Sequence, residues 1–225
     1  MSERVVAVTG GHGVLGRAVV QAALDAGLKV AVIDHAAGQT VPDGVLEIGG
    51  VDLTDAAQAQ GAVDRVVAHF GRLDALLNIA GGFVWQTTDD ARPAWDRMFA
   101  LNLTTALNAS RAALVPLKAS PDGRIVNVGS AAALKAGMGM GAYAASKSAV
   151  HKLTESLAEE LKSTSVTVNA VLPSVLDTAQ NRADMPDADP AQWVAPSDLA
   201  AVILFLASPA GRAMTGALVP VTGRV

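Results

Sequence analysis

Val5-Val6-Ala7-Val8-Thr9-Gly10-Gly11-His12-Gly13-Val14-Leu15-Gly16 is a β-branched run that breaks into glycines and resumes as an apolar helix former. It reads as a strand over Val5–Thr9, a tight turn, and a helix over about Val14–Ala26. Gly10, Gly13 and Gly16 have the spacing G-x-x-G-x-x-G. Without Cβ atoms the backbone turns sharply and lets a pyrophosphate approach. The helix that follows offers free N–H groups and the positive end of its dipole. Glycines also cluster in ordinary turns, but after a first strand and ahead of a helix they point to a dinucleotide.

Outward from this turn, short β-branched runs alternate with alanine-rich stretches of helical period. Strands are expected over Val30–Ile33, Val45–Val51, Leu73–Leu77, Arg124–Val128, Val166–Leu172 and Ala217–Val221. Helices are expected over Ala56–Phe70, closed by Gly71, and over Pro93–Leu117, Tyr143–Lys162 and Pro196–Ala207. The strands lack polar alternation, so the pattern predicts an α/β fold: a Rossmann-like, doubly wound parallel sheet flanked by helices. With no linker, repeat or low-complexity segment, residues 1–225 read as a single domain. The stretch 179–195, with Pro186, Pro190 and several aspartates, reads as a loop or lid.

The composition narrows the function. Of 225 residues, 51% are hydrophobic and 17% charged, which describes a folded chain with a sizeable core. A net charge of −4 gives no reason to expect nucleic acid or an anionic membrane as partner. Cysteine is absent, which excludes disulfides and thiolate chemistry and suits a cytoplasmic protein. The opening Met1-Ser2-Glu3-Arg4 leads only into a short apolar stretch and does not read as a secretory signal. His12, His35, His69 and His151 lack metal-ligand spacing; they read as surface residues, and no metal is expected.

Asp34 follows the second strand, where an acid meets the adenosine ribose hydroxyls and repels a 2′-phosphate. NAD(H) is therefore expected as cofactor, with NADP(H) possible because His12 and His35 are near. The alternative is an ordinary solvated strand end. Tyr143, the single tyrosine, stands four residues before Lys147, so on a helix phenol and ammonium share a face. A phenol with a pKa of about 10 is a poor catalyst at neutral pH, and a neighbouring cation lowers that value. The alternative is a half-buried core aromatic beside a solvated lysine.

These residues resemble the short-chain dehydrogenase/reductase family along essentially the whole chain. The matching pieces come in family order: Thr9–Gly16, Asp52-Leu53, Asn78-Ile79-Ala80-Gly81, Asn102, Ser130, Tyr143-x-x-x-Lys147 and Pro173-Ser174-Val175-Leu176-Asp177-Thr178. In the family's compact members the middle glycine of the turn falls at the place of Val14, the second residue of the Asn-Asn-Ala-Gly motif at Ile79, and the glycine of Pro-Gly at Ser174. Gly13, the Gly137–Tyr143 segment and Val171–Pro186 are locally similar to the dihydropteridine reductase branch, which generally lacks a serine at the place of Ser130.

The resemblance implies hydride transfer between a nicotinamide and a carbonyl, alcohol or related C=N group. It implies Tyr143 as general acid/base, Lys147 lowering the phenol's pKa and holding the ribose, Ser130 binding the substrate oxygen, and Asn102 anchoring a water. Gly10, His12, Gly13, Val14, Leu15, Gly16, Asp34, Asp52, Leu53, Asn78, Ala80, Gly81, Tyr143, Lys147, Pro173, Val175 and Thr178 would line the cofactor. Taken alone, Ser130 reads equally as a turn cap and Asn102 as a polar helix residue. Phe83, Val84, Trp85, Met138, Met140, Met185 and Trp193 suit an apolar or flat small-molecule substrate, or plain packing. The alanine-rich helices around Asn102 and Tyr143 suggest a homo-oligomer, a tetramer or dimer. Reduction of a quinonoid dihydropterin and non-catalytic NAD sensing are the competing readings.

Overall fold

The structure, a computed structural model, describes residues 4–89 and 93–225. Met1–Glu3, part of the opening weighed above as a signal, lies outside them. Strands β1 (Val5–Thr9), β2 (Lys29–Ile33), β3 (Leu46–Ile48), β4 (Ala75–Asn78), β5 (Arg124–Val128), β6 (Thr167–Pro173) and β7 (Leu218–Val221) form one sheet. Its order is β3-β2-β1-β4-β5-β6-β7 and every pairing is parallel. Parallel neighbours need crossovers; residues 34–45 link β2 to β3 without a helix, and the other connections carry helices: α1 (Val14–Asp25), α2 (Ala56–Phe70), α3 (Pro93–Phe99), α4 (Thr105–Ala119), α5 (Gly141–Glu160), α6 (Ala179–Asp184) and α7 (Pro196–Ala207). Two cores result. One face of the sheet packs on α1 and α7, the other on α2, α4 and α5.

Several expected boundaries shift for visible reasons. The strand expected over Val45–Val51 keeps only its middle, because Gly49 and Gly50 follow and Gly50 has φ 72°. Asp74, expected inside a strand, precedes β4 instead. Its buried carboxylate gathers Val5 N–H at 2.9 Å, the Arg72 guanidinium and the Ser120 hydroxyl at 2.6 Å. The segment 179–195 is not a plain loop. Thr178 caps α6, Asp189 caps a short 3-10 turn, and Trp193 and Val194 are buried. A lid made of Trp193 is therefore not what the chain builds.

The long helix expected over Pro93–Leu117 contains a π turn at Ala100–Thr104. There the Thr105 N–H reaches back to Ala100 O, and the Thr105 hydroxyl donates to Leu101 O (2.7 Å), the carbonyl that N–H passed over. Such bulges rotate the side chains that follow and recur at functional sites.

Strand order reverses between β1 and β4, so the chain leaves these neighbours toward opposite faces and opens a crevice at their C-terminal ends. Thr9 staples this point: its hydroxyl accepts from the Ile79 and Ala80 N–H groups at 3.1 and 3.2 Å.

Candidate active site

A cleft of about 740 Å³ opens at that crevice. Of the residues expected at the cofactor or catalytic site, Gly10, Gly13, Val14, Leu15, Gly16, Asp34, Asp52, Leu53, Ala80, Gly81, Tyr143 and Lys147 line it. Ile33, His35, Val51, Thr54, Ile79, Gly82, Leu101, Thr105, Val128 and Leu176 also line it, beyond the cofactor contacts expected from the sequence.

The turn after β1 is shaped by sterics. Gly10 has φ 67°, and a Cβ there would meet Ala80 backbone at 2.8 Å. A Cβ on Gly16 would strike Gly10 O and come 2.7 Å from Gly11 Cα. Gly13 differs: it sits at φ −69°, exposed, with only Gly10 O at 3.4 Å. The fold thus needs Gly10 and Gly16, while Gly13 leaves bare backbone toward the cleft. No side chain caps the N-terminus of α1.

Asp34 is fixed from both sides. One carboxylate oxygen accepts His12 N–H and the other Ala36 N–H, each at 3.0 Å. The His12 ring turns away from the cleft toward Glu47, with Nε2 and Oε1 3.5 Å apart. Asp52 is locked by Thr54, whose hydroxyl (2.7 Å) and N–H (2.9 Å) hold its carboxyl below the usual range. Next to it, Asn108 on α4 donates to Leu53 O and Thr54 O at 3.0 Å. A bare-backbone turn, an apolar slot between Ile33, Val51, Leu53 and Ile79, and a fixed carboxylate fit the two halves of a dinucleotide.

At the other end stand Tyr143 and Lys147 on α5. Burial pushes the Tyr143 phenol up, while the Ser130 side chain, within hydrogen-bonding reach, works the other way. Lys147 is buried and donates from Nζ to Val128 O at 2.7 Å; desolvation pulls its ammonium down to about 8. Ser130 caps the 3-10 turn Ala131–Ala133 and accepts from Ala132 N–H at 3.1 Å, so the turn-cap reading and proximity to Tyr143 are both realised. The π turn sends the buried Asn102 amide to Gly82. It accepts the Gly82 N–H (2.9 Å) and donates to Gly82 O (3.1 Å) and the Ser146 hydroxyl (2.9 Å).

Some expected contacts fall elsewhere. The Asn78 amide turns into the core and donates to Asn127 Oδ1 (2.8 Å) and the Ser110 hydroxyl (3.0 Å), because β4 ends with that side chain facing α4. Pro173 is buried as the last residue of β6, the Val175 carbonyl is bound by Val194 N–H, and Thr178 is used as a helix cap. From that segment only Leu176 reaches the cleft wall. For His151 the sequence predicts a surface position. It is buried, because the α5 face carrying Tyr143 and Lys147 also carries residue 151 against β5. The i+4 step from Lys147 was the available signal.

Residues 4–189 match the family described as short chain dehydrogenase. A 2-(S)-hydroxypropyl-CoM dehydrogenase of Xanthobacter autotrophicus is 33% identical, covering 99% of this chain and 96% of the relative. A cyclohexanol dehydrogenase of a Rhodococcus species is 34% identical over 98% and 95%. The solved aldohexose dehydrogenase of Thermoplasma acidophilum superposes with a TM-score of 0.89 at 27% identity, covering 99% of this chain and 93% of that one. The chain belongs to the short chain dehydrogenase family. As a short chain dehydrogenase it is an oxidoreductase whose reaction is NAD(P)-dependent hydride transfer, on the Rossmann-like sheet described above. Among the described residues, no helix is long and apolar enough to cross a membrane.

Proposed function

We propose that residues 1–225 act as one dinucleotide-binding and catalytic domain that interconverts an apolar secondary alcohol and its ketone with NAD(H). The observation that carries this reading is the shared cleft: Tyr143 and Lys147 at one end, the glycine turn and Asp34 at the other. The bound nicotinamide supplies the hydride. Tyr143 exchanges the proton with the substrate oxygen, and Ser130 steadies charge there as it forms. Lys147 offers a cation beside the ribose and the phenol. Asn102 holds Gly82, and with it the wall over the nicotinamide, in place.

Asp34 supports NAD(H) over NADP(H), because its carboxylate is pinned where a 2′-phosphate would sit and the His12 ring is turned toward Glu47. Phe83 stands edge-on to Tyr143 with ring centroids 5.0 Å apart, and Phe83, Trp85 and Met138 are 52%, 54% and 81% exposed. Water-facing apolar groups beside a reactive phenol suit an alicyclic or otherwise apolar alcohol, as in the named cyclohexanol relative. A cytoplasmic site fits the absence of cysteine. A homo-oligomer, tetramer or dimer, is supported by partly exposed Leu103 and Leu107 near α4 and Ala145 and Ala149 on α5.

The test is a panel of cyclic and linear secondary alcohols and ketones with each nicotinamide, and quinonoid dihydropterin with NADH as a separate arm. Turnover of apolar ketones with NADH well above NADPH is expected. Turnover confined to the pterin, or a clear NADPH preference, would overturn the substrate or the cofactor reading respectively.

A further inference from the structure

Three consecutive residues at the exit of β5 are held from α5. Lys147 Nζ donates to Val128 O at 2.7 Å, and Ser130 N–H donates to His151 Nε2 at 3.3 Å. Between them the His151 ring lies over Gly129, where a Cβ would come 2.5 Å from Nε2 and 2.7 Å from Cδ2. Tyr143, Lys147 and His151 follow one another at i, i+4 and i+8, so one helix face carries all three. An imidazole nitrogen that accepts an N–H bears no proton, so His151 is the neutral tautomer with its proton on Nδ1.

We propose that His151 is a positioning residue: its neutral imidazole aims Ser130 by accepting the Ser130 N–H, and protonation of the ring releases Ser130 and lowers turnover. The inference rests on the reading of Ser130 given above. A protonated ring would present a donor to a donor, and the backbone that carries the hydroxyl would have to move. Burial first, then the Lys147 and Lys152 charges, hold the imidazole below its ordinary 6.5, against Glu155. These groups all lie on α5. β6 has no titratable residue, the only one on β5 is Arg124 at the opposite end of the strand, and Asp96 and Arg97 of α3 are exposed. At neutral pH the acceptor is therefore in place, and it is lost only as the pH falls.

The test compares wild type with His151→Gln, whose amide oxygen accepts without titrating, and with His151→Leu, which cannot accept. Turnover and KM are measured across pH, NADH affinity by fluorescence, and the Ser130 amide resonance by nitrogen-15 NMR. In wild type the Ser130 resonance and kcat should titrate together on the acid side. His151→Gln should keep neutral turnover within about threefold and lose both titrations, and His151→Leu should lower kcat about tenfold with NADH affinity unchanged. A Ser130 resonance that does not titrate in wild type, or an unchanged acid limb in His151→Gln, would overturn the proposal, and both readings survive a leucine variant that fails to fold. Ser130→Ala separates the levels. Full turnover there removes the catalytic reading of Ser130 and this proposal with it. Lost turnover there, with full turnover in His151→Leu, removes this proposal alone.

Discussion

A buried ammonium works against the fold that holds it. Lys147 titrates near 8 rather than its ordinary 10.5, with desolvation as the cause. One pKa unit is about 1.4 kcal/mol, so the charged side chain destabilises the folded state by on the order of 3 kcal/mol at neutral pH. Between about 8 and 10.5 the folded chain has shed this proton and the unfolded chain has not, so stability rises with pH in that window. Denaturant unfolding of wild type and Lys147→Met across the window should show wild type gaining on the variant by on the order of 3 kcal/mol; a constant difference would contradict the buried cation. Tyr143 has the complementary difficulty, a phenol raised by burial. Lowering a phenol from about 10 to 7 needs about 4 kcal/mol of phenolate stabilisation. With the Lys147 ammonium bonded to Val128 O, the proposed reaction would draw part of that from Ser130 and from the positive charge of an oxidised nicotinamide. The Tyr143–Lys147 pair was legible because a four-residue interval on a helix fixes a shared face. The partner of Lys147 was not, since a main-chain carbonyl leaves no mark in side-chain identity.

At the scale of elements, the glycine turn separates two demands that sequence spacing merges. Gly16 is needed by packing, and Gly13, in the proposed binding mode, by access. Gly16→Ala should lower the melting temperature, because overpacking against the Gly10–Gly11 backbone costs about 1–3 kcal/mol. Gly13→Ala should leave melting nearly unchanged while raising the NADH dissociation constant; equal melting losses in both would contradict this division. The helices were largely readable: Ala56–Phe70, with Gly71 at φ 76°, lies where its period and C-cap residue put it. The π turn was not, because one extra residue per turn blurs a helical period without interrupting it. Nor was the side-chain direction of Asn78, which depends on whether its strand ends one residue earlier or later.

Across the whole molecule, the switch between β1 and β4 brings residues far apart in sequence to one cleft. The parallel sheet was legible from apolar runs without alternation, whereas the buried links that steady it, such as Asn78–Asn127–Thr154, were not. Those links join polar residues from separate elements, and no local pattern announces them. Leu103 and Leu107 near α4 and Ala145 and Ala149 on α5 keep part of their surface exposed, and close helix pairing would cover it. Light scattering should give a dimer or tetramer, and a stable single-chain mass would contradict that assembly. In the proposed reaction the Tyr143 phenol exchanges a proton beside a bound nicotinamide. The most direct measurement is turnover of Tyr143→Phe, with NADH affinity and melting temperature followed in parallel. Loss of the phenolic proton should cut kcat by about a hundredfold or more while binding and melting stay close to wild type, and wild-type turnover in that variant would contradict the account.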